Sequence, residues 1–172
     1  MNPRTSALIT IILLAAAFRL MQLVPNVSPI AATALFAGAY FADKRLAFVV
    51  PLIAMLLSDL VLGLHTSMLY VYTGMAITVL IGMKLTTTPT AKATLIGALS
   101  ASVIFFLLTN FGAWVSHDMY AADMSGLIAA YTAGIPFYRN SLLGDLLFVA
   151  LLFGGFELLK QRFNTLRLSN QH

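Results

Sequence analysis

No cysteine occurs anywhere in the chain, which excludes disulfides, thiolate metal centres and cysteine nucleophiles. Charge is nearly as scarce. Only 9% of the 172 residues are Asp, Glu, Lys or Arg, against about 25% in an ordinary soluble domain. A water-soluble chain of this length could not cover its surface with so few charged groups, so lipid is the expected solvent for most side chains. Catalytic signatures are missing too. There is no HExxH, GxSxG or P-loop, so none of the common hydrolytic or nucleotide chemistries is indicated and no enzyme activity is expected.

What is present is apolar. Hydrophobic residues make up 60% of the chain, and the mean hydropathy is +0.91. A helical span needs about 20 residues, and runs of that kind with short polar links fill a single integral membrane domain, 1–172. They predict an all-α, six-transmembrane-helix bundle with helices over 6–24, 29–42, 46–64, 68–83, 93–114 and 141–159. Arg4, an apolar stretch and Ala15-Ala16-Ala17 also match a signal peptide. Apolar character continues past the alanines, and a retained first helix is preferred.

Pro25 to Pro29 reads as a turn, with Ser28 placed to cap the second helix and Pro29 at its first position. That helix is short: the 29–42 run rises only ~21 Å, less than the ~30 Å hydrocarbon core. It either tilts, thins the bilayer or re-enters. Its small residues Ala31, Ala34, Gly38 and Ala42 permit close helix contact, as internal packing or as a docking surface, and Gly154-Gly155 reads the same way. Between the fifth and sixth runs lies a polar segment, 115–140, with an amphipathic piece from Ser125 to Ala133. A connection that long in a compact bundle is usually functional.

With six crossings, Arg4, Lys44, Arg45, Lys84, Lys92, Lys160, Arg162 and Arg167 share one side, and only Arg19 and Arg139 fall on the other. Basic residues collect on cytoplasmic loops. Both termini are therefore expected inside, in a multi-pass membrane protein. The same rule accounts for the net charge of +4 without a nucleic-acid partner.

That topology gathers the unusual polar residues near the outer end. Arg19 and Gln22 lie one turn apart in the first helix, Asp59 and His65 at the outer end of the third. Asn110, Trp114 and His117 follow i, i+4, i+7 spacing, and Arg139, Asn140 and Asp145 surround the start of the sixth helix, with Tyr120 nearby. A charge in hydrocarbon costs about 2.5–3.5 kcal/mol on insertion scales. Arg19 and Asp59 are therefore expected to face inward and pair, or to line a wet cavity. The blander readings are an Arg19 that snorkels, Asn140 or Ser141 as a helix cap, Asp145 at a positive helix end, and aromatics forming an interfacial belt. A bis-histidine haem site would need His65 and His117 together.

The stretches SPIAATALFAGAYF and MLLSDLVLGLHTSMLYVYTGMA resemble those of a family of uncharacterised bacterial membrane transport proteins. TNFGAWVSHDMY and AAYTAGIPFYRNSLLGDLLFVALLFGGFELL carry the likeness further, which runs from about Ser28 to Leu159. That family in turn resembles the substrate-binding S components of energy-coupling-factor vitamin transporters. The resemblance implies six helices, an outward-facing pocket for a small-molecule substrate such as a vitamin, and a transmembrane coupling subunit with ATPases as partner. A corrinoid ligand would put His65 in the axial role. The chain departs from the S-component docking pattern, because Ala15, Ala16 and Ala17 lack an alanine four residues away. The expected function is thus capture or uptake of a small solute. Arg19 and Arg139 would bind anionic groups, Asp59, Asn110 and Asp145 would form hydrogen bonds, and Trp114 and Tyr120 would stack. The competing readings are a membrane enzyme or redox protein that uses the outer polar cluster, and a ligand-free structural subunit.

Overall fold

The computed structural model describes residues 2–21, 25–85, 89–116 and 119–167. Among the described residues there are six helices, a short 3-10 turn at Asn164–Leu166 and no strand. The helices are α1 (Pro3–Arg19), α2 (Ile30–Tyr40), α3 (Lys44–Leu62), α4 (Met68–Met83), α5 (Ala91–Ser116) and α6 (Met124–Arg162). Within α6 the segment Ala150–Gly154 is wound as a π-helix.

Local sequence sets the ends. Asn2 accepts a hydrogen bond from the Thr5 N–H, with Pro3 in the first turn of α1, where the missing proline N–H costs nothing. Asp43 caps α3 through the Arg45 N–H, and Gly63 ends it with a φ of 107° that side chains rarely tolerate. The largest departure from the sequence expectation is α6, which begins at Met124 rather than at 141. Asp123 is its N-cap, accepting from the Gly126 N–H at 2.9 Å and the Ser125 hydroxyl at 2.7 Å. Those bonds hold the Asp123 carboxyl below its usual range. Most of the expected polar connection is therefore helix, and Asn140, Ser141 and Asp145 lie inside it rather than capping its start. The polar residues of this stretch interrupt the apolar run without breaking the helix. Ser28 makes no cap bond either, since Pro29 occupies the N-cap position of α2.

Three helices are long and apolar enough to cross a membrane: Lys44–Leu62, Ala91–Ser116 and Met124–Arg162. At 26 residues, α5 rises roughly 39 Å. Their outer faces are apolar, with Leu56, Leu57, Leu60 and Val61 exposed on α3, and Leu143, Leu147 and Leu151 on α6. Water would reject such a surface and lipid accepts it. The chain has the build of a membrane protein.

At the centre stands α2. Every residue from Ala31 to Tyr40 is buried, and α2 touches each of the other five helices. Its small residues are internal packing, which removes the docking alternative for Ala31, Ala34 and Gly38. A Cβ on Gly38 would lie 2.2 Å from the Val79 carbonyl oxygen, and one on Gly82 2.2 Å from that of Leu35. The α2 and α4 backbones therefore meet directly. Gly154 and Gly155 differ, because a Cβ there would meet open space. They coincide with the end of the π-turn instead of a close contact.

Candidate functional site

Charges in the bundle gather in separate places. On one side of α2, the Arg19 guanidinium lies 2.7 Å from Asp59 Oδ1, with Arg19 16% exposed and Asp59 fully buried. Arg19 also donates to the Ser58 hydroxyl, which in turn donates to the Met55 carbonyl. Tyr72 donates its hydroxyl proton to Asp59 Oδ2 at 2.9 Å. Both ions are thus consumed by each other and by neighbouring hydroxyls. The space beside them is only about 10 Å³, less than a solute needs. The expectation that Arg19 and Asp59 pair holds; the expectation that they bind substrate finds no room.

Between α5 and α6 the situation is reversed. A recess of about 220 Å³ is lined from α5 by Ser102, Phe106, Thr109 and Asn110, from α6 by Gly134, Phe137, Tyr138, Ser141 and Asp145, and from the α1–α2 loop by Asn26. The helical repeat explains the grouping. Ser102, Phe106 and Thr109 recur at i, i+4, i+7, and Gly134, Tyr138, Ser141 and Asp145 at i, i+4, i+7, i+11, each set forming one stripe. At Gly134 the two stripes approach closely: a Cβ there would fall 2.2 Å from Asn110 Oδ1, so Asn110 would have to move aside. Asn110 is oriented by its own donation to the Phe106 carbonyl at 2.9 Å, which leaves Oδ1 directed at α6.

Asp145 is 8% exposed and forms no ion pair among the described residues. Ser102, 2% exposed, stands beside that carboxylate but makes no well-formed hydrogen bond to it. A buried carboxylate without a cation is costly in any protein and more so in a membrane, where such groups mark ligand or ion sites.

The remaining expected site residues are dispersed. His65 Nδ1 is 3.0 Å from the Ser67 hydroxyl in the α3–α4 link. Trp114 donates its indole N–H to the Ala121 carbonyl at 2.9 Å and packs on Phe111, so it closes the α5–α6 turn. Tyr120 lies in that turn, and neither residue lines the recess. Arg139 is exposed and also stands outside the recess. Asn140 reaches back to the Pro25 carbonyl at 3.4 Å, tying the α1–α2 loop to α6. His117 and Gln22 lie outside the described residues, and with them the bis-histidine arrangement. No group of three or more His, Asp or Glu able to hold a metal is found among the described residues.

A family model matches residues 1–166 and is described as a family of unknown function (DUF6580). The chain belongs to the DUF6580 family. No curated protein and no solved structure matches it.

This DUF6580 chain has a further polar cluster that the sequence reading missed, at the opposite end of the bundle. Arg4 is buried and donates to the carbonyls of Leu166, at 2.6 Å, and Tyr40, at 3.0 Å. Tyr40 donates to Glu157 Oε1 at 2.6 Å, and Lys160 lies 2.7 Å from the same oxygen. The Lys160 ammonium and the Arg4 guanidinium sit over the Tyr40 and Phe156 rings. Arg4 Nε alone is left without a hydrogen-bond partner, and the remaining contacts fasten α1, α2 and the end of α6 together. One signal could have revealed it: Glu157 is the only glutamate in the sequence, directly after the apolar run 146–156.

Proposed function

We propose that this chain is a multi-pass membrane protein that captures a small solute in the α5–α6 recess and serves its uptake. The observation that carries the reading is a polar recess between two of the helices long enough to span, ending on an unpaired buried carboxylate. Binding sites in membrane proteins are built this way, between helices and at mid-depth, because only there are polar groups kept from lipid. Its volume is below the ~300–1,000 Å³ of pockets for drug-sized ligands, which favours a solute smaller than a vitamin or corrinoid.

The topology that goes with this reading has six crossings, both termini on the cytoplasmic face of a bacterial inner membrane, and the recess opening outward. Its support is the one-sided distribution of Lys and Arg. Burial of α2 from Ala31 to Tyr40 supports it too, since a helix of 11 residues can cross where neighbours shield it from lipid. Energy for movement comes from a coupling subunit with ATPases or from the solute gradient, because the chain carries no nucleotide motif.

Because the protein has no cysteine, single introduced thiols report side without background. Tyr120→Cys and Arg139→Cys should react with an impermeant maleimide on intact spheroplasts, and Arg162→Cys only after permeabilisation. Labelling of all three from one side would remove the outward recess. Occupancy is tested by thermal unfolding of the full chain in nanodiscs against small amines, carboxylic acids, polyols and sugars. A bound solute at 100 times its Kd stabilises by about 2.7 kcal/mol, and Ser141→Phe, which fills the recess, should abolish the shift. Absence of any shift, or a shift that Ser141→Phe leaves intact, overturns the proposal.

A further inference from the structure

We propose that the recess recognises a small organic cation, a protonated amine or a quaternary ammonium group, with Asp145 as its counter-charge. The inference rests on reading the recess as a solute site and adds the class of solute.

The charge balance points to it first. Asp145 is the one charged side chain among the lining residues, and it forms no ion pair among the described residues. An anion would meet that carboxylate with no basic side chain to offset it. Arg19 is committed to Asp59 and Ser58, and Arg139 stands outside. Neither arginine lines the recess, so neither is available there to receive an anionic solute.

Shape and lining then separate an organic cation from a bare metal ion. A metal cage is small and made of many oxygens, with six to eight around calcium and near-ideal octahedral geometry around magnesium. Here a single carboxylate faces about 220 Å³, far more than one ion fills. Three of the ten lining residues are aromatic, Phe106, Phe137 and Tyr138, and Phe106 and Tyr138 are ring neighbours at 4.6 Å between centroids. Alkylated or protonated nitrogen is the cation such faces attract. Ser141 and Asn110 supply hydroxyl and amide oxygens that accept from ammonium N–H groups.

The test is calorimetric titration of the full chain in nanodiscs, at constant ionic strength. The probes are tetramethylammonium chloride, ethanolamine hydrochloride, sodium acetate and glycerol. Binding of one or both ammonium probes is expected, with none by acetate or glycerol. Asp145→Asn should weaken that binding at least tenfold, Asp145→Glu should restore part of it, and Tyr138→Leu should weaken tetramethylammonium several-fold. Binding of acetate or glycerol that Ser141→Phe blocks would overturn the cation assignment and leave the solute site standing. Equal ammonium binding by Asp145→Asn would do the same, as would a response to sodium chloride alone. Binding by no probe, together with the absence of any solute shift in the thermal screen, overturns both. Should Asp145→Asn fail to fold, the Asp145→Glu and Tyr138→Leu titrations decide the question alone.

Discussion

Asp59→Ala is expected to cost about 3–5 kcal/mol of folding stability, the usual penalty for removing one member of a buried ion pair. The carboxylate is fully buried, and its loss strands an Arg19 guanidinium that is only 16% exposed. Tyr72 loses its acceptor at the same time. Most of the cost is thus the desolvation of groups left behind, and the sign can be checked by removing both ions. Arg19→Met with Asp59→Leu should recover most of the loss, because a buried pair replaced by apolar residues of similar volume is often neutral or better. Solute binding in the α5–α6 recess should survive in the double variant, since neither residue lines it. Denaturant unfolding in a fixed detergent reads the first effect, and the thermal screen reads the second. A single variant within about 1 kcal/mol of the parent, a typical value for an exposed pair, would show that water reaches the ions.

Gly38→Val should be more damaging still, abolishing stable folding. A Cβ at this position would lie 2.2 Å from the Val79 oxygen, 2.9 Å from the Gly82 Cα and 2.9 Å from the Met83 nitrogen. All three are backbone atoms, so no side-chain rotation relieves the contact and the helices must separate. Ordinary overpacking costs about 1–3 kcal/mol because flexible side chains absorb part of it; here nothing flexible is available. Gly38→Ala is the graded version, expected to lower the melting temperature sharply while leaving the protein folded. Gly82→Ala should act alike, and the two together less than additively, since both open one contact. Gly155→Ala is the control, because a Cβ there meets open space. Equal melting temperatures for Gly38→Ala and Gly155→Ala would show that α2 and α4 do not touch backbone to backbone.

Much of the fold was legible. The positions of α3, α4 and α5 follow from apolar runs bounded by Asp43, Gly63 and the polar link before Ala91. The Arg19–Asp59 pair was foreseeable because lipid rejects two lone charges more strongly than it rejects a pair. The recess was half legible. Asn110 and Asp145 stand out as polar residues in apolar runs, whereas nothing in the sequence marks Ser102, Gly134, Tyr138 and Ser141 as their partners. Starting α6 at 141 hid a stripe that is plain once the helix is extended to Asp123. Proximity in sequence to the same loop made Trp114, Tyr120 and Arg139 candidates, yet adjacent helical positions point different ways.

By itself, the sequence determined the solvent and the element type: so apolar a chain must live in lipid, and in lipid a backbone satisfies its own hydrogen bonds only as helix or closed barrel. Which charges would be neutralised and which left open was decided by tertiary packing alone. Arg19, on α1, meets its counter-ion on α3, whereas Asp145 on α6 faces a cavity. Both are single acidic or basic letters in apolar runs, and nothing local distinguishes them. The difference arises from what the neighbouring helix presents at the same depth, a quantity fixed only when the bundle closes around α2.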